Sequence, residues 1–223
     1  FDAIGWVGAM TPQLIAAGNH EYLKSENAKG EERRELAAQF TAQFQSLSNG
    51  PAALQDTVFY HDYQGVRFIV LNSTAAVEDE SLAKVQAGWL KQVLSTNPNR
   101  WTIAIYHHPM FSVSLGRDNP RLRQYWQPLF DQYKVDLVLQ GHDHVYGRYQ
   151  PENKGPVYMV SVAGPKMYLV SKQARAQMAQ VGEDTQLFQQ LDISENQLKV
   201  KAMTVTGRLY DSFTLKRQSD GSN

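Results

Sequence analysis

Val135-Asp136-Leu137-Val138-Leu139-Gln140, followed by Gly141-His142-Asp143-His144, is the stretch on which the fold turns. Val135 to Leu139 is a near-continuous apolar run and reads as a strand, with Gly141 and two histidines just beyond its end. The same arrangement recurs upstream. Trp101 to Tyr106 is a compact apolar strand, and His107-His108-Pro109 follows it directly. Strand ends that carry histidines suit an α/β sheet, where ligands bind in the loops at the carboxyl ends of strands.

The rest of the chain fits around these two units. Val157 to Val162 is a further strand, and Val58–Tyr63 and Val66–Asn72 flank Gln64-Gly65 as a tight hairpin. Leu82, Val85, Trp89 and Val93 mark a helix that Asn97-Pro98 ends. Leu122, Tyr125, Trp126, Leu129, Phe130 and Tyr133 mark another, kinked or restarted at Pro128. From Glu31 to Leu47, the spacing of Leu36, Phe40, Phe44 and Leu47 predicts a helix, with Glu31-Glu32-Arg33-Arg34 on its solvated face. Phe1-Asp2-Ala3-Ile4 reads as a helix start, and Ala16-Ala17-Gly18 as a strand end leading into Asn19-His20-Glu21. Gln186–Ile193, Gln197–Val205 and Arg208–Leu215 read as a β meander. Alternating strands and helices give an α/β class, expected as one domain over residues 1–217 with a polar tail at 218–223.

Composition narrows the function. The 223 residues include 22 basic and 22 acidic side chains, so the net charge gives no support for a nucleic-acid partner. No apolar run approaches the roughly 20 residues of a membrane-spanning helix. With no cysteine, thiolate metal sites are excluded, and His, Asp, Glu and Asn are left as ligands.

Five of the six histidines lie in three short motifs: His20, His107-His108 and His142-X-His144. A Gly-Asn-His turn or a His-His-Pro strand end means little alone. Gly-His-X-His says more, because alternate residues of an extended segment point to one side and can share an ion. Three such motifs in order, each after a predicted strand, point to a metal site.

Gly18-Asn19-His20-Glu21, His107 with Pro109, and Gly141-His142-Asp143-His144-Val145-Tyr146 resemble the last three motifs of the calcineurin-like metallophosphoesterases. Gly-Asn-His-Glu, and Tyr-X-Arg after the final pair, are most similar to purple acid phosphatases and their bacterial relatives. Gly207 with Tyr210-Asp211-Ser212-Phe213 resembles the closing strand of that domain. The resemblance implies a layered β-sandwich flanked by helices, and phosphate monoester hydrolysis with two divalent or mixed-valence ions of iron, zinc or manganese. It makes Asn19, His107 and His142 ligands of the second ion and His144 a ligand of the first. It places His20 on a phosphate oxygen, where it helps protonate the leaving group. His108 is read either as a phosphate contact or as a support for the ligands, and Arg117 as a phosphate partner at the substrate mouth with Ser112 and Ser114.

The family's first two motifs, Asp-X-His or Asp-X-Gly and then Gly-Asp-X-X-Asp or Gly-Asp-X-X-Tyr, do not occur among the 17 residues before Gly18. The expectation is therefore a C-terminal part of the domain, with an incomplete binuclear site and the missing N-terminal half as partner. A degenerate or non-catalytic metal-binding module, and a phosphodiesterase or nucleotidase of the same superfamily, stay open beside it. Bared sheet surface would favour a homo-oligomer, and the bacterial relatives suggest an extracytoplasmic location, with the cytoplasm as the alternative.

Overall fold

Side chains alternate across the central strands and sort the molecule into layers. Ile103, Ile105, Leu137, Leu139, Val157 and Met159 face one way; Ala104, Tyr106, Val138 and Tyr158 face the other. Each set meets a different partner, so these strands are apolar on both faces, which is why they read as continuous runs.

The computed structural model describes residues 5–26, 30, 32–152 and 155–217. The chain runs through α1 (Gly5–Met10), β1 (Tyr22–Glu26), β2 (Glu32–Leu36), α2 (Ala38–Gln43), β3 (Phe59–Tyr63), β4 (Val66–Val70), α3 (Ser73–Glu78) and α4 (Glu80–Ser95). It continues with β5 (Trp101–Ile105), α5 (Pro120–Tyr125), α6 (Gln127–Gln132), β6 (Leu137–Gln140), β7 (Tyr146–Tyr149) and β8 (Val157–Val160). The last elements are α7 (Lys172–Gln177), β9 (Gln180–Gly182), β10 (Leu187–Ile193), β11 (Gln197–Thr204) and β12 (Leu209–Lys216).

A seven-stranded mixed sheet of order β3-β4-β5-β6-β8-β7-β9 forms the middle layer. β4, β5, β6 and β8 run parallel, and the flanking pairs β3–β4, β7–β8 and β7–β9 are antiparallel. The antiparallel meander β10-β11-β12 covers one face, where Leu187, Leu198, Val200 and Ala202 meet Trp101, Ile103, Leu137 and Val157. Helices α3 to α6 cover the other face through Ala83, Leu90, Leu122, Trp126 and Phe130. Full burial of a large apolar side chain contributes about 1.5–3 kcal/mol, so these two interfaces hold the layers together.

The hairpin, the meander, the helix at α4 and the broken helix at Pro128 stand where the sequence places them. Gln64 and Gly65 both have positive φ (46° and 78°), the conformation a two-residue hairpin turn requires.

Other expectations are corrected. Residues 31–47 do not form one helix: β2 pairs with β1 from Tyr22↔Leu36 to Glu26↔Glu32, and only α2 is helical. Leu36, Phe40, Phe44 and Leu47 keep a helical spacing, but Leu47 is half exposed and a long-range strand pairing claims Leu36. Glu32, Arg33 and Arg34 of the basic-acidic run therefore open β2 rather than coating a helix, and Glu31 lies outside the described residues. Ala16-Ala17-Gly18 has no strand partner among the described residues. The helix start proposed at residues 1–4 and the tail at 218–223 lie outside the described residues. Gly147, in β7, has a packing reason: a Cβ there would meet Val113 Cγ2 at 2.4 Å and Met178 Sδ at 2.9 Å.

Candidate metal centre

Parallel pairing brings two histidine loops level. β5 and β6 align Ile105 with Leu139, so the segments after both strands emerge side by side, and the Gly141 N–H donates to the His107 carbonyl at 3.0 Å. Asn19 reaches the same point from a distant part of the chain, on a single 3-10 turn spanning Asn19–Glu21. The Glu21 carboxylate accepts the Gly18 N–H at 2.7 Å and closes that turn.

Three donor atoms then face one another. Asn19 Oδ1 lies 2.8 Å from His107 Nε2 and 3.2 Å from His142 Nδ1, and the two ring nitrogens are 3.0 Å apart. Such separations are the edges of a coordination shell with bonds of about 2.0–2.2 Å, so the trio fits one divalent ion of the zinc or iron type. Among the described residues, no group of three or more His, Asp or Glu side chains is placed to hold an ion. The trio qualifies only because an amide oxygen completes it, and it carries no negative charge.

Electrostatics favour the neutral, ligating form of the rings. Burial pushes His107 down to about 4, with the charges of His20, His144 and Arg117 adding to it. Burial likewise lowers His108 to about 3, helped by His107, and His142 to about 2, helped by His108 and Arg117. A metal therefore meets little proton competition at neutral pH.

The neighbouring residues take definite places. His108 is buried behind the trio, its ring 4.2 Å from that of His142, with Nδ1 3.1 Å from Ser73 Oγ. Ser73 Oγ also accepts the His108 N–H at 2.8 Å. These contacts fit the supporting role rather than the phosphate contact. His20 is exposed on the 3-10 turn. His144 turns Nδ1 to the Lys166 carbonyl at 3.0 Å and its ring to Tyr168 at 5.1 Å. Arg117 donates to the His142 carbonyl at 2.6 Å and lies over the Tyr168 ring at 4.8 Å. Ser114 is buried, so it does not line a substrate mouth.

The Gly-His-X-His segment is not extended, contrary to the expectation. His142 and His144 both have positive φ (70° and 52°), a conformation costing of order 1–3 kcal/mol for a residue with a Cβ. Asp143, fully buried between them, supplies the compensation. Its carboxylate accepts the N–H groups of Val113 (2.6 Å) and Ser114 (3.0 Å) and pairs with Arg117 at 3.3 Å. Burial raises its pKa despite those bonds. Asp143 fixes the His142 loop and Ser73 fixes His108, and sequence reasoning assigned neither a role. An acid inside a His-X-His loop was the available signal for Asp143; Ser73, the first residue of α3, gave none.

The calcineurin-like phosphoesterase family pattern matches residues 4–146, more than half of the chain. The chain belongs to the calcineurin-like phosphoesterase family. Within that family it is similar to purple acid phosphatase 13 of Arabidopsis thaliana, 27% identical over 70% of this chain and 29% of the relative. It is also similar to the uncharacterized protein Rv2577 of Mycobacterium tuberculosis, 31% identical over 63% of this chain and 28% of that protein. The matched region thus spans less than a third of either relative. The fold is shared with purple acid phosphatase PPD1 from yellow lupin seeds, at TM-score 0.66 and 20% identity over 92% of this chain and 41% of that one. GAP50, described as the anchor in the inner membrane complex of Plasmodium, shares it at TM-score 0.61 and 17% identity over 73% of this chain and 54% of that one.

Proposed function

We propose that this chain carries one metal-binding half of a binuclear phosphoesterase site that hydrolyses phosphate monoesters in the manner of a purple acid phosphatase. The observation that carries this reading is the convergence of Asn19 Oδ1, His107 Nε2 and His142 Nδ1 within 3.2 Å of one another, from motifs far apart in the chain. When bound, two ions of iron, zinc or manganese would activate a water and neutralise phosphate charge. The carboxylates and most ligands of the first ion are not grouped with the trio among the described residues, and this reading takes them from a further part of the protein.

The chain's own residues do the rest. Asn19, His107 and His142 hold one ion, and His144 has Nε2 left for the other once Nδ1 faces Lys166. His20, exposed and close enough to His107 to depress its pKa, bonds a phosphate oxygen and passes a proton to the leaving oxygen. Asp143 and Arg117 keep the His142 loop in its left-handed turn.

A second reading has a specific observation behind it: the trio is neutral, so a single bound ion has no carboxylate to offset its charge. A non-catalytic metal-binding module would look like this, and the same fold occurs in a protein described as an anchor. Titrating zinc, manganese and iron into the full-length protein and following aryl phosphate hydrolysis separates the two. The enzyme reading expects turnover that His107→Ala or His142→Ala abolishes; metal binding without turnover supports the module. The 223-residue chain alone is expected to show trace activity at most, unchanged by His107→Ala. Among the described residues no helix is long and apolar enough to cross a membrane, and the proposed location is extracytoplasmic, checked by cell fractionation.

A further inference from the structure

Asn72, the residue before α3, is fully buried, and each of its polar atoms has a partner. Its Oδ1 accepts the Ala75 N–H at 3.0 Å and caps the helix. Its Nδ2 donates to the Tyr22 hydroxyl at 2.5 Å and to Thr57 Oγ1 at 2.7 Å. The buried Gln86 side chain of α4 accepts the Asn72 N–H and donates to the Asn72 carbonyl, both at 2.9 Å. Clamped to α4 and capping α3, the side chain keeps one orientation, because any other leaves buried polar groups unpaired.

That orientation is felt at the candidate metal centre from two sides. Tyr22 directly follows the Asn19–Glu21 turn, so its hydroxyl ties the strand leaving that turn to α3. Ser73, next to Asn72, holds His108 through Nδ1 at 3.1 Å and through its N–H at 2.8 Å. The Asn19 turn and the His107-His108 loop thus take their places from adjacent residues at one helix end. A single 3-10 turn with no fully buried residue needs such a reference from outside itself.

We propose that Asn72 is a positioning residue for the metal centre, and that through Tyr22 it keeps Asn19 Oδ1 beside His107 Nε2 and His142 Nδ1. This rests on the metal-binding part of the phosphoesterase reading and not on its reaction. Without the tie, Asn19 spends part of its time away from the histidines, and the apparent metal affinity falls by that fraction. Two substitutions isolate the tie from the helix cap. Tyr22→Phe removes the hydroxyl and leaves the cap intact. Asn72→Ser still caps α3 but is too short to reach Tyr22.

The test titrates cobalt(II), whose visible absorption reports its ligands, into the metal-free full-length protein. Tyr22→Phe and Asn72→Ser are each expected to weaken binding about fivefold, the size of one net hydrogen bond. Both should shift the cobalt spectrum toward that of Asn19→Ala. In the Asn19→Ala background neither should change the affinity further, since both act through Asn19. Ring-nitrogen NMR of the metal-free protein supplies a readout without any ion. Tyr22→Phe should move the His107 and His142 signals as Asn19→Ala does, and leave His61 of β3 in place. Unchanged affinity overturns the proposal, as does an equal loss with and without Asn19. So do His107 and His142 signals that ignore Tyr22. If the unsubstituted protein takes up no cobalt while those signals still follow Tyr22, the placing of Asn19 by Asn72 stands and the metal reading falls.

Discussion

Gly18 sits where the Asn19 turn touches the His107 ring, and a Cβ there would stand 2.9 Å from His107 Nδ1 and 3.0 Å from Glu21 Oε2. Its φ of −99° is open to any residue, so the conflict is steric and local. Gly18→Ala should therefore displace the His107 ring and weaken zinc binding at least tenfold, with about 1 kcal/mol or less lost in a denaturant melt. A change in stability without a change in metal affinity would show that the ring does not depend on this contact. The histidine rings make a second prediction. His107, His108 and His142 have pKa values depressed well below 6.5 in the folded state, so the unfolded chain takes up protons first as pH falls. Stability contributed by the neutral rings is present above about pH 6.5 and lost as pH drops toward about 4. Denaturant midpoints measured across pH 8 to 4 should decline over that window, and His108→Phe, which cannot titrate, should flatten the decline. A flat profile in the unsubstituted protein would remove the buried-neutral account.

β7 and β12 belong to different sheets, and one buried ion pair joins them. Arg148 Nε donates to Asp211 Oδ2 at 2.7 Å and Nη2 to Oδ1 at 3.2 Å, while the Tyr146 hydroxyl donates to Oδ2 at 2.8 Å. Burial opposes ionisation of Asp211, but the bonds from Arg148 and Tyr146 outweigh it and hold its pKa below the usual value. Asp211→Ala leaves a guanidinium that is largely buried without its counter-ion, at a cost of about 3–5 kcal/mol. Thermal unfolding should report that loss, and a shift of less than about 1 kcal/mol would place the tie between the sheets elsewhere. Because β7 follows directly on His144 and Val145, the pair also steadies the far side of the His142 loop. Asp211→Ala should loosen metal binding as well, which calorimetry would detect. The misread segment at residues 31–47 belongs to the same scale. Spacing of apolar residues reports which side chains could share a face, whereas the pairing of β2 with β1 depends on a partner that local periodicity does not describe.

At the scale of the whole molecule, the meander covers only part of its face of the large sheet. Phe68, Ile105 and Leu139 lie on central strands yet are only partly buried, and Tyr63 on the neighbouring edge strand is 56% exposed. Apolar area of this kind favours association. The 223-residue chain should sediment as a dimer or larger species at micromolar concentration, and Phe68→Glu should shift it toward monomer. Sedimentation as a monomer throughout would mean that the uncovered row is too small to drive pairing. The core strands at 101–106 and 135–139 and the placing of His107 and His142 at their ends were legible in the apolar runs. Such runs state locally which residues must leave water. The layered architecture was implied only by the resemblance of the histidine motifs, and the strand order was not legible. The resemblance grouped Asn19 with those histidines, and tertiary structure supplied the contacts. Two further features, the left-handed turn around buried Asp143 and the anchoring of His108 by Ser73, were decided by tertiary structure alone. Each depends on contacts between segments at least 29 residues apart, set by the register of parallel strands and by where loops cross them. Nothing in a local pattern of side chains encodes that register.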